Sequence, residues 1–582
     1  MSKRAPPKDR DRAAATARSR HSSAPRPSGV PYAAAAVASL VLIWAYSPVM
    51  HTGFLFDDTN QRFARPEASD PLRAWIGPVR PVLMFSYWLN VQISSQDTFS
   101  YHLVNLAIHA IAAILVFFVI RRLMEWAGTD PSSRAWMAGF GALLFLFHPL
   151  QTESVAYIAG RSEALSGMCA AASIALFVYR RSEAISWTEV PLVLLAFGAA
   201  LLSKEQAVVV PAVLLLTDYW WTPGFSFKGI VRNWKLYALM AAGGLAGVAL
   251  FWKMILGAGT NGSAGFGIRD FTWYQYLFTQ FRALFVYIAN FVLPLNLNLD
   301  WQFPISRTIL DHGSIAGLAV LAGLTLAAWH YRVRFRLASY GWFLFLVLLL
   351  PTSSILPIKD PVADRRMYLP MIGLILIAIE FLGRWKVERK TVAALCGCIL
   401  VVMTGLTHAR AMVWSDAVTL WEDTVAKSPG RSRPHFQLAM AYYDQGKFDR
   451  AAAEFEKAAA LEKPDVQLLL DWGLAYDGLH QPEKALDKLR QAAALEPTAH
   501  VYTQIGKVYA DHRQWKEAME AFGTAERLDP AYPATYAYKG LVHLANNDPA
   551  GAIPECRHAL ELDSRFQPAR ECLATAARMG AR

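Results

Sequence analysis

Residues 432–465 read SRPHFQLAMAYYDQGKFDRAAAEFEKAAALEKPD, and the chemistry of this stretch returns three times before the chain ends. Ala439, Gly473, Gly506 and Gly540 stand 34, 33 and 34 residues apart. Three positions after each comes Tyr442, Tyr476, Tyr509 or His543; twelve after each, Ala451, Ala485, Ala518 or Ala552; nineteen after each, Ala458, Ala492, Ala525 or Ala559. Small residues at fixed spacing let two helices approach, and aromatics fill the gaps between neighbouring pairs. Repeats therefore start near Ser432, Val466, Ala499 and Pro533, and Pro497 and Pro530 close two of them.

This period and pattern match the tetratricopeptide repeat. Trp414, Ala417, Trp421 and Pro429 fit the second helix of an earlier unit, whose first helix would be the apolar run just before it. The solenoid is thus expected to be joined rigidly to whatever precedes it. Its repeated small and aromatic positions are packing; its function lies in a concave surface suited to an extended peptide or partner protein.

Upstream the composition changes. Of 582 residues 54% are hydrophobic and 18% charged, against roughly 25% charge in soluble domains. Residues 1–409 carry 36 basic and 22 acidic side chains, residues 410–582 carry 21 and 24. Basic residues set among long apolar runs fit cytoplasmic loops of a membrane protein, not a solvated nucleic-acid face. Apolar runs at about 32–50, 101–120, 135–150, 164–179, 188–202, 207–221, 236–256, 314–330, 340–357, 368–383 and 391–408 predict eleven spans. Placing the N-terminus inside puts 23 basic residues on the cytoplasmic side and 13 outside, so the repeats fall outside. Tyr274–Leu293, interrupted by Gln275, Gln280, Arg282 and Asn290, reads as an interfacial or re-entrant helix, and Arg80–Val91 as part of the first external loop. The chain divides into a disordered basic tail (1–30), a multispan membrane domain (31–408) and the repeats (409–582), an all-α architecture. Cys169, Cys396 and Cys398 lie in apolar runs without the further ligands a metal needs; Cys556 and Cys572 read as packed thiols, with a disulfide as the alternative.

Ionisable residues at the outer ends of the runs need a reason to be there. Asp57 and Asp58 follow the first span, framed by aromatics; their mutual repulsion would leave one partly protonated near neutral pH, fit for general-base chemistry, although a solvated loop with an Asx turn gives the same pattern. His102, Asn105 and His109 share one helical face, suited to substrate or to interhelical hydrogen bonds. His148 and Glu153 are followed by Gly160-Arg161-Ser162, and Lys204 and Glu205, which could pair with each other, lie between two spans. Asp364-Arg365-Arg366 puts arginines on the external side, where a lipid phosphate is the fitting anion.

Together Asp57-Asp58, Arg80-Pro81, Tyr101-His-Leu-Val-Asn105, His148-Pro-Leu-Gln-Thr-Glu153, Ser203-Lys204-Glu205 and Arg365 with Tyr368-Leu-Pro370, followed by the repeats, resemble the transmembrane and tetratricopeptide-repeat (TMTC) glycosyltransferases and their bacterial relatives, within the GT-C membrane glycosyltransferase fold. Where such proteins commonly show Glu-Arg-Tyr, this chain has Asp364-Arg365-Arg366, keeping the arginine. The resemblance implies inverting transfer of a sugar from a polyprenyl phosphate to an acceptor hydroxyl outside, with no metal and no cofactor. Asp57 or Asp58 would be the base; Arg365, with Arg80, Arg161 or Lys204, would bind the donor phosphate; His102, Asn105, His148, Glu153 and Glu205 would line the pocket. In the animal family the sugar is mannose and the acceptor is Ser or Thr of a protein. A noncatalytic membrane scaffold for envelope assembly, or a transferase acting on lipid or glycan, are the competing readings.

Overall fold

The computed structural model describes residues 30–256 and 263–580, so the tail expected at 1–30 lies almost wholly outside the described residues. Among these residues the chain is helical and forms no strand; a lone antiparallel bridge joins Ala264 and Ile358. The longer helices before the repeats are α1 (Val30–Tyr46), α2 (Pro81–Ser94), α3 (Thr98–Trp126), α4 (Pro131–Phe147), α5 (Arg161–Val178), α6 (Val190–Leu201), α7 (Val210–Trp221), α8 (Trp234–Leu256), α9 (Trp273–Val292), α10 (Ser314–His330), α11 (Arg336–Leu349), α12 (Met371–Arg384) and α13 (Arg389–Val413). Each of the eleven apolar runs falls on one of these helices, and α2 and α9 are the two segments set aside as spans.

Length separates the eleven. Thr98–Trp126, Arg161–Val178, Asp311–His330 and Arg389–Val413 are long and apolar enough to cross a membrane. By contrast α6 and α7, of 12 residues each, rise only about 18 Å, short of roughly 30 Å of hydrocarbon. The run expected at 340–357 stops being helical at Leu349, because Pro351 has no amide hydrogen to continue the ladder. Leu40, Leu195, Leu326 and Val401 turn more than half of their surface outward, a face suited to lipid. Inside, α11 and α12 cross where Gly341 and Gly373 meet, each leaving no room for a Cβ against the other's carbonyl.

The two ends of the bundle differ. At one, Arg122 pairs with Glu125 (2.9 Å), Arg180 with Asp218 (3.1 Å), and Arg389 donates to the Ser132 carbonyl (2.6 Å). The other end gathers the connections 47–80, 148–160, 202–209 and 350–370, and α14 (Ala417–Lys427) leads from it into the repeats.

The repeats are α15 (Ser432–Asp444) with α16 (Phe448–Leu461), α17 (Val466–Gly478) with α18 (Pro482–Leu495), α19 (Ala499–Asp511) with α20 (Trp515–Leu528), and α21 (Pro533–Ala545) with α22 (Pro549–Leu562), closed by α23 (Gln567–Gly580). Their boundaries follow the register: Ala439, Ala451, Ala458, Ala485 and Ala518 are fully buried, and Gly506 accommodates the Phe522 ring. The first helices α15, α17, α19 and α21 pack side by side and form one continuous face. A single buried apolar cluster runs from Leu42 to Ala475, so the first repeats share a core with the membrane half.

At the far end Cys556 and Cys572 form a disulfide, the alternative to the packed thiols expected from the sequence. Both are fully buried beside Gly540, whose missing side chain leaves room for the sulfurs. The bridge closes a loop of 16 residues, for which chain entropy gives about 3 kcal/mol. The C556A/C572A variant is expected to lose about this much protection in α22 and α23 alone, read by amide hydrogen exchange.

Candidate active site

The Asp57-Asp58 pair occupies a tight turn, Phe56–Asn60, entered through Phe56 at a φ of 47°. That left-handed backbone is costly for an aromatic residue and is held by ring contacts to Trp421 (5.2 Å) and Tyr157 (6.5 Å). The turn sends the two carboxylates in opposite directions. Asp58 is buried; Leu55 N–H donates to its Oδ2 (3.2 Å) and Ala159 N–H to its Oδ1 (2.8 Å). Burial pushes the Asp58 carboxyl up to about 7, against the pull of these two amides. Asp57 is exposed. Partial burial raises its pKa, while Arg365 and Arg433 attract its charge and Asp360 repels it.

Three cation–carboxylate pairs lie on the same end of the bundle. Arg365 Nη1 meets Glu153 Oε1 at 2.7 Å, and the Arg365 amide donates to Glu153 Oε2 at 3.0 Å. Although burial opposes its charge, Arg365 is held firmly protonated by Glu153, with Glu163 and Asp360 adding to the field. Lys204 pairs with Glu163, which Gln206 also reaches, and lies 3.3 Å from Ser162 Oγ. Arg80, itself left-handed at φ 49°, grips Glu205 with two nitrogens at 2.9 and 2.8 Å. Lys204 and Glu205 therefore do not pair with each other: the extended backbone at Lys204 sends them to different partners.

The other expected site residues hold this surface from beneath. Arg161 has no exposed surface; its guanidinium donates to Asn105 Oδ1 (2.7 Å) and to the Tyr101 (3.1 Å) and Ser86 (3.2 Å) carbonyls, and stacks on Tyr87. Three of its five N–H groups are thus engaged inside the protein, so the structure places this expected phosphate contact as a fully buried clamp. Asn105 in turn donates to the carbonyls of Val155 and Tyr157, which fixes the loop that presents Ala159 to Asp58. His102 meets the Thr52 carbonyl (3.2 Å), and His109 the Tyr368 hydroxyl (2.9 Å). His148 bonds the Phe291 carbonyl through Nε2 (2.9 Å) and accepts from Leu150 N–H (3.2 Å), both nitrogens committed. These histidines and Asn105 are buried and tie helices and connections together beneath the surface.

Four residues that no sequence motif singles out join the site. Glu163 lies one position past the quoted Gly160-Arg161-Ser162. Asp360 precedes the Asp364-Arg365-Arg366 motif, and Asp300 and Arg433 come from the α9–α10 connection and the first repeat. Arg433 bridges them, Nε to Asp300 Oδ2 at 2.6 Å and Nη2 to Asp360 Oδ1 at 2.8 Å, with Arg431 on Asp300 at 2.8 Å. From the inner side Arg366 donates to the carbonyls of Asp360 and Pro361, the latter at 2.9 Å. The segment carrying Arg365 is thus clamped by an arginine on each face, one of them supplied by the solenoid.

Known proteins resemble this chain in two ways. The tetratricopeptide repeat family matches residues 432–465 and 503–565. Human "Protein O-mannosyl-transferase TMTC3" is 23% identical over 90% of this chain and 63% of its own length. The Caenorhabditis elegans "Protein O-mannosyl-transferase F38B6.6" is 24% identical over 66% of this chain and 54% of its own. The chain thus spans less than two thirds of the length of these relatives. Among solved structures, a thermophilic TPR protein of Thermus thermophilus is 20% identical, covering 31% of this chain and 95% of that one at a TM-score of 0.26. Along nine tenths of its length, membrane half and repeat half together, the chain is thus similar in one alignment to a protein named as an O-mannosyl-transferase, and its C-terminal part matches the tetratricopeptide repeat.

Proposed function

We propose that this protein is a membrane glycosyltransferase that moves a sugar, mannose in the relatives' names, from a polyprenyl phosphate to a Ser or Thr hydroxyl of a protein, by inversion, on the extracytoplasmic side. The observation that carries the reading is the divergence of the aspartate pair: Asp57 alone is exposed, in the field of Arg365. Asp57 takes the acceptor proton, and Arg365, with Lys204 and Arg80, stabilises the phosphate as charge develops on the departing oxygen. Asp58 fixes the turn. No metal or cofactor is required by this scheme.

The proposed topology has the eleven helices crossing the membrane or dipping into it between a cytoplasmic tail (1–30) and external repeats (409–582), around the domain 31–408. The disulfide between Cys556 and Cys572 supports it, since such bonds persist in oxidising compartments. A reporter fused after Arg582 is expected to be active only outside the cytoplasm; activity inside would overturn the orientation. For the chemistry, membranes holding wild type are expected to transfer sugar from extracted polyprenyl-phosphate sugars to envelope proteins. Label appearing in lipid or glycan instead would move the acceptor to that class, and transfer unaffected by Asp57→Asn would favour a scaffold.

A further inference from the structure

The solenoid touches the membrane half at both of its ends. At its start the contact is broad: Lys427 donates to the Leu297 carbonyl (2.8 Å), Ser428 Oγ to the Asp300 carbonyl (2.6 Å), and Gly430 N–H to Gln302 (2.9 Å), beside the Arg431 and Arg433 ion pairs. At its far end, between α22 and α23, Arg565 Nη1 lies 3.5 Å from Asp70 Oδ1. Arg62 holds the same carboxylate from within its own loop, 3.4 Å from Oδ2. Asp70 belongs to the connection that carries Asp57. The helices from α14 to α22 therefore leave the membrane half beside Asp300 and Asp360 and come back to it beside Asp70.

The first helices of the repeats pack side by side into one continuous face, and its first member reaches the membrane half. Arg433, near the start of α15, sends its side chain into the Asp300 and Asp360 pairs and acts on Asp57. Further along, Asp471 is 8% exposed and takes a hydrogen bond from Gln467 (2.8 Å), with no ion pair to a cation among the described residues. Lys507 reaches both Asp477 (3.9 Å) and Asp511 (3.4 Å). Asp444 and Asp471, both on first helices, have no ion pair to a cation among the described residues, which suits Lys or Arg side chains of a passing segment.

Building on the transferase reading, we infer that the solenoid is an arch closed over the site by the Asp70–Arg565 contact, and that the protein acceptor passes beneath it as an extended, basic segment. A closed arch admits a chain by its free end or by opening. An extended strand, stacking at about 10 Å from its neighbours, is a far smaller object than a folded domain of about 13 Å radius of gyration.

The test uses the full-length D70C/R565C variant and a reducible bis-maleimide, with wild type as the control for the chain's own thiols. Crosslinked peptides joining positions 70 and 565 are expected by mass spectrometry; their absence would overturn the arch without any reference to sugar transfer. The crosslinked protein is then given a free-ended Thr peptide with flanking lysines, and the same segment placed between two folded domains. Transfer to the free peptide is expected to persist, while transfer to the doubly capped segment falls about tenfold or more, because locked geometry forbids its engagement. Reduction restores it. Equal modification of both acceptors by the crosslinked form would overturn threading. Absence of transfer by the uncrosslinked variant and by wild type counts against the transferase reading, and crosslinking still decides the arch.

Discussion

Asp57→Asn is expected to lower transfer by about 10²–10⁴ in kcat, the usual worth of a general base, and to leave the fold untouched. The side chain is exposed and the turn is held by its neighbour, so little structure depends on its charge. As the proposed base Asp57 has to be ionised, and partial burial raises its pKa despite Arg365 and Arg433. Activity therefore rises with pH, on a limb set above the ordinary carboxylate range, and the residual activity of Asp57→Asn lacks that limb. Asp58→Asn behaves differently. An amide presents one oxygen to two backbone donors, so the Leu55 or Ala159 N–H faces an NH₂ group, costing about 1–3 kcal/mol. The wild-type carboxyl, pushed up to about 7 in the fold, adds stability below the unfolded carboxylate range that is lost as pH rises through 7; Asp58→Asn removes this slope. Transfer rates and thermal melts of the two purified variants across pH 4–9 check both statements, and equal loss of fold in both would remove the distinction drawn between them.

The repeats were readable because their packing repeats: Ala439, Gly473, Gly506 and Gly540 mark the closest approach of each helix pair, and the observed helices begin within a residue of the expected starts. The same rule hid Arg433. It stands at a position that packing leaves free, so nothing in the period distinguishes it from any other surface arginine. In the membrane half, hydropathy marked the helices but not how many cross the bilayer, since α6 and α7 carry the composition of a span without its length. Charged pairs were legible as residues and not as partners. Glu163 meets Lys204 across 41 positions, and Glu153 meets Arg365 across 212, separations that only the fold brings together. Asp364-Arg365-Arg366 pointed to an arginine near phosphate. Which one faces outward is decided by Arg366 turning inward to Tyr276 (3.3 Å) and the 360–361 carbonyls, and by Asp364 accepting from Asn298 N–H (2.8 Å).

Arg365→Gln is expected to lose transfer for two separable reasons. If the guanidinium meets the donor phosphate, its removal takes away a positioned cation in a site of low dielectric, about 10²–10³ in rate. It also leaves Glu153, whose side chain is 6% exposed, without its counter-charge, and breaking a buried pair from one side costs about 3–5 kcal/mol. The double variant E153Q/R365Q separates the two. With both charges gone the buried site is neutral, and much of the lost stability returns. Transfer does not return, because nothing replaces the charge at the phosphate. Arg365→Lys keeps the charge but not the fork that spans Glu153 and the cleft, so it should fall between wild type and Arg365→Gln in rate. A double variant that recovers transfer along with stability would show Arg365 to be a structural partner of Glu153 alone and would leave the donor phosphate to Lys204 and Arg80.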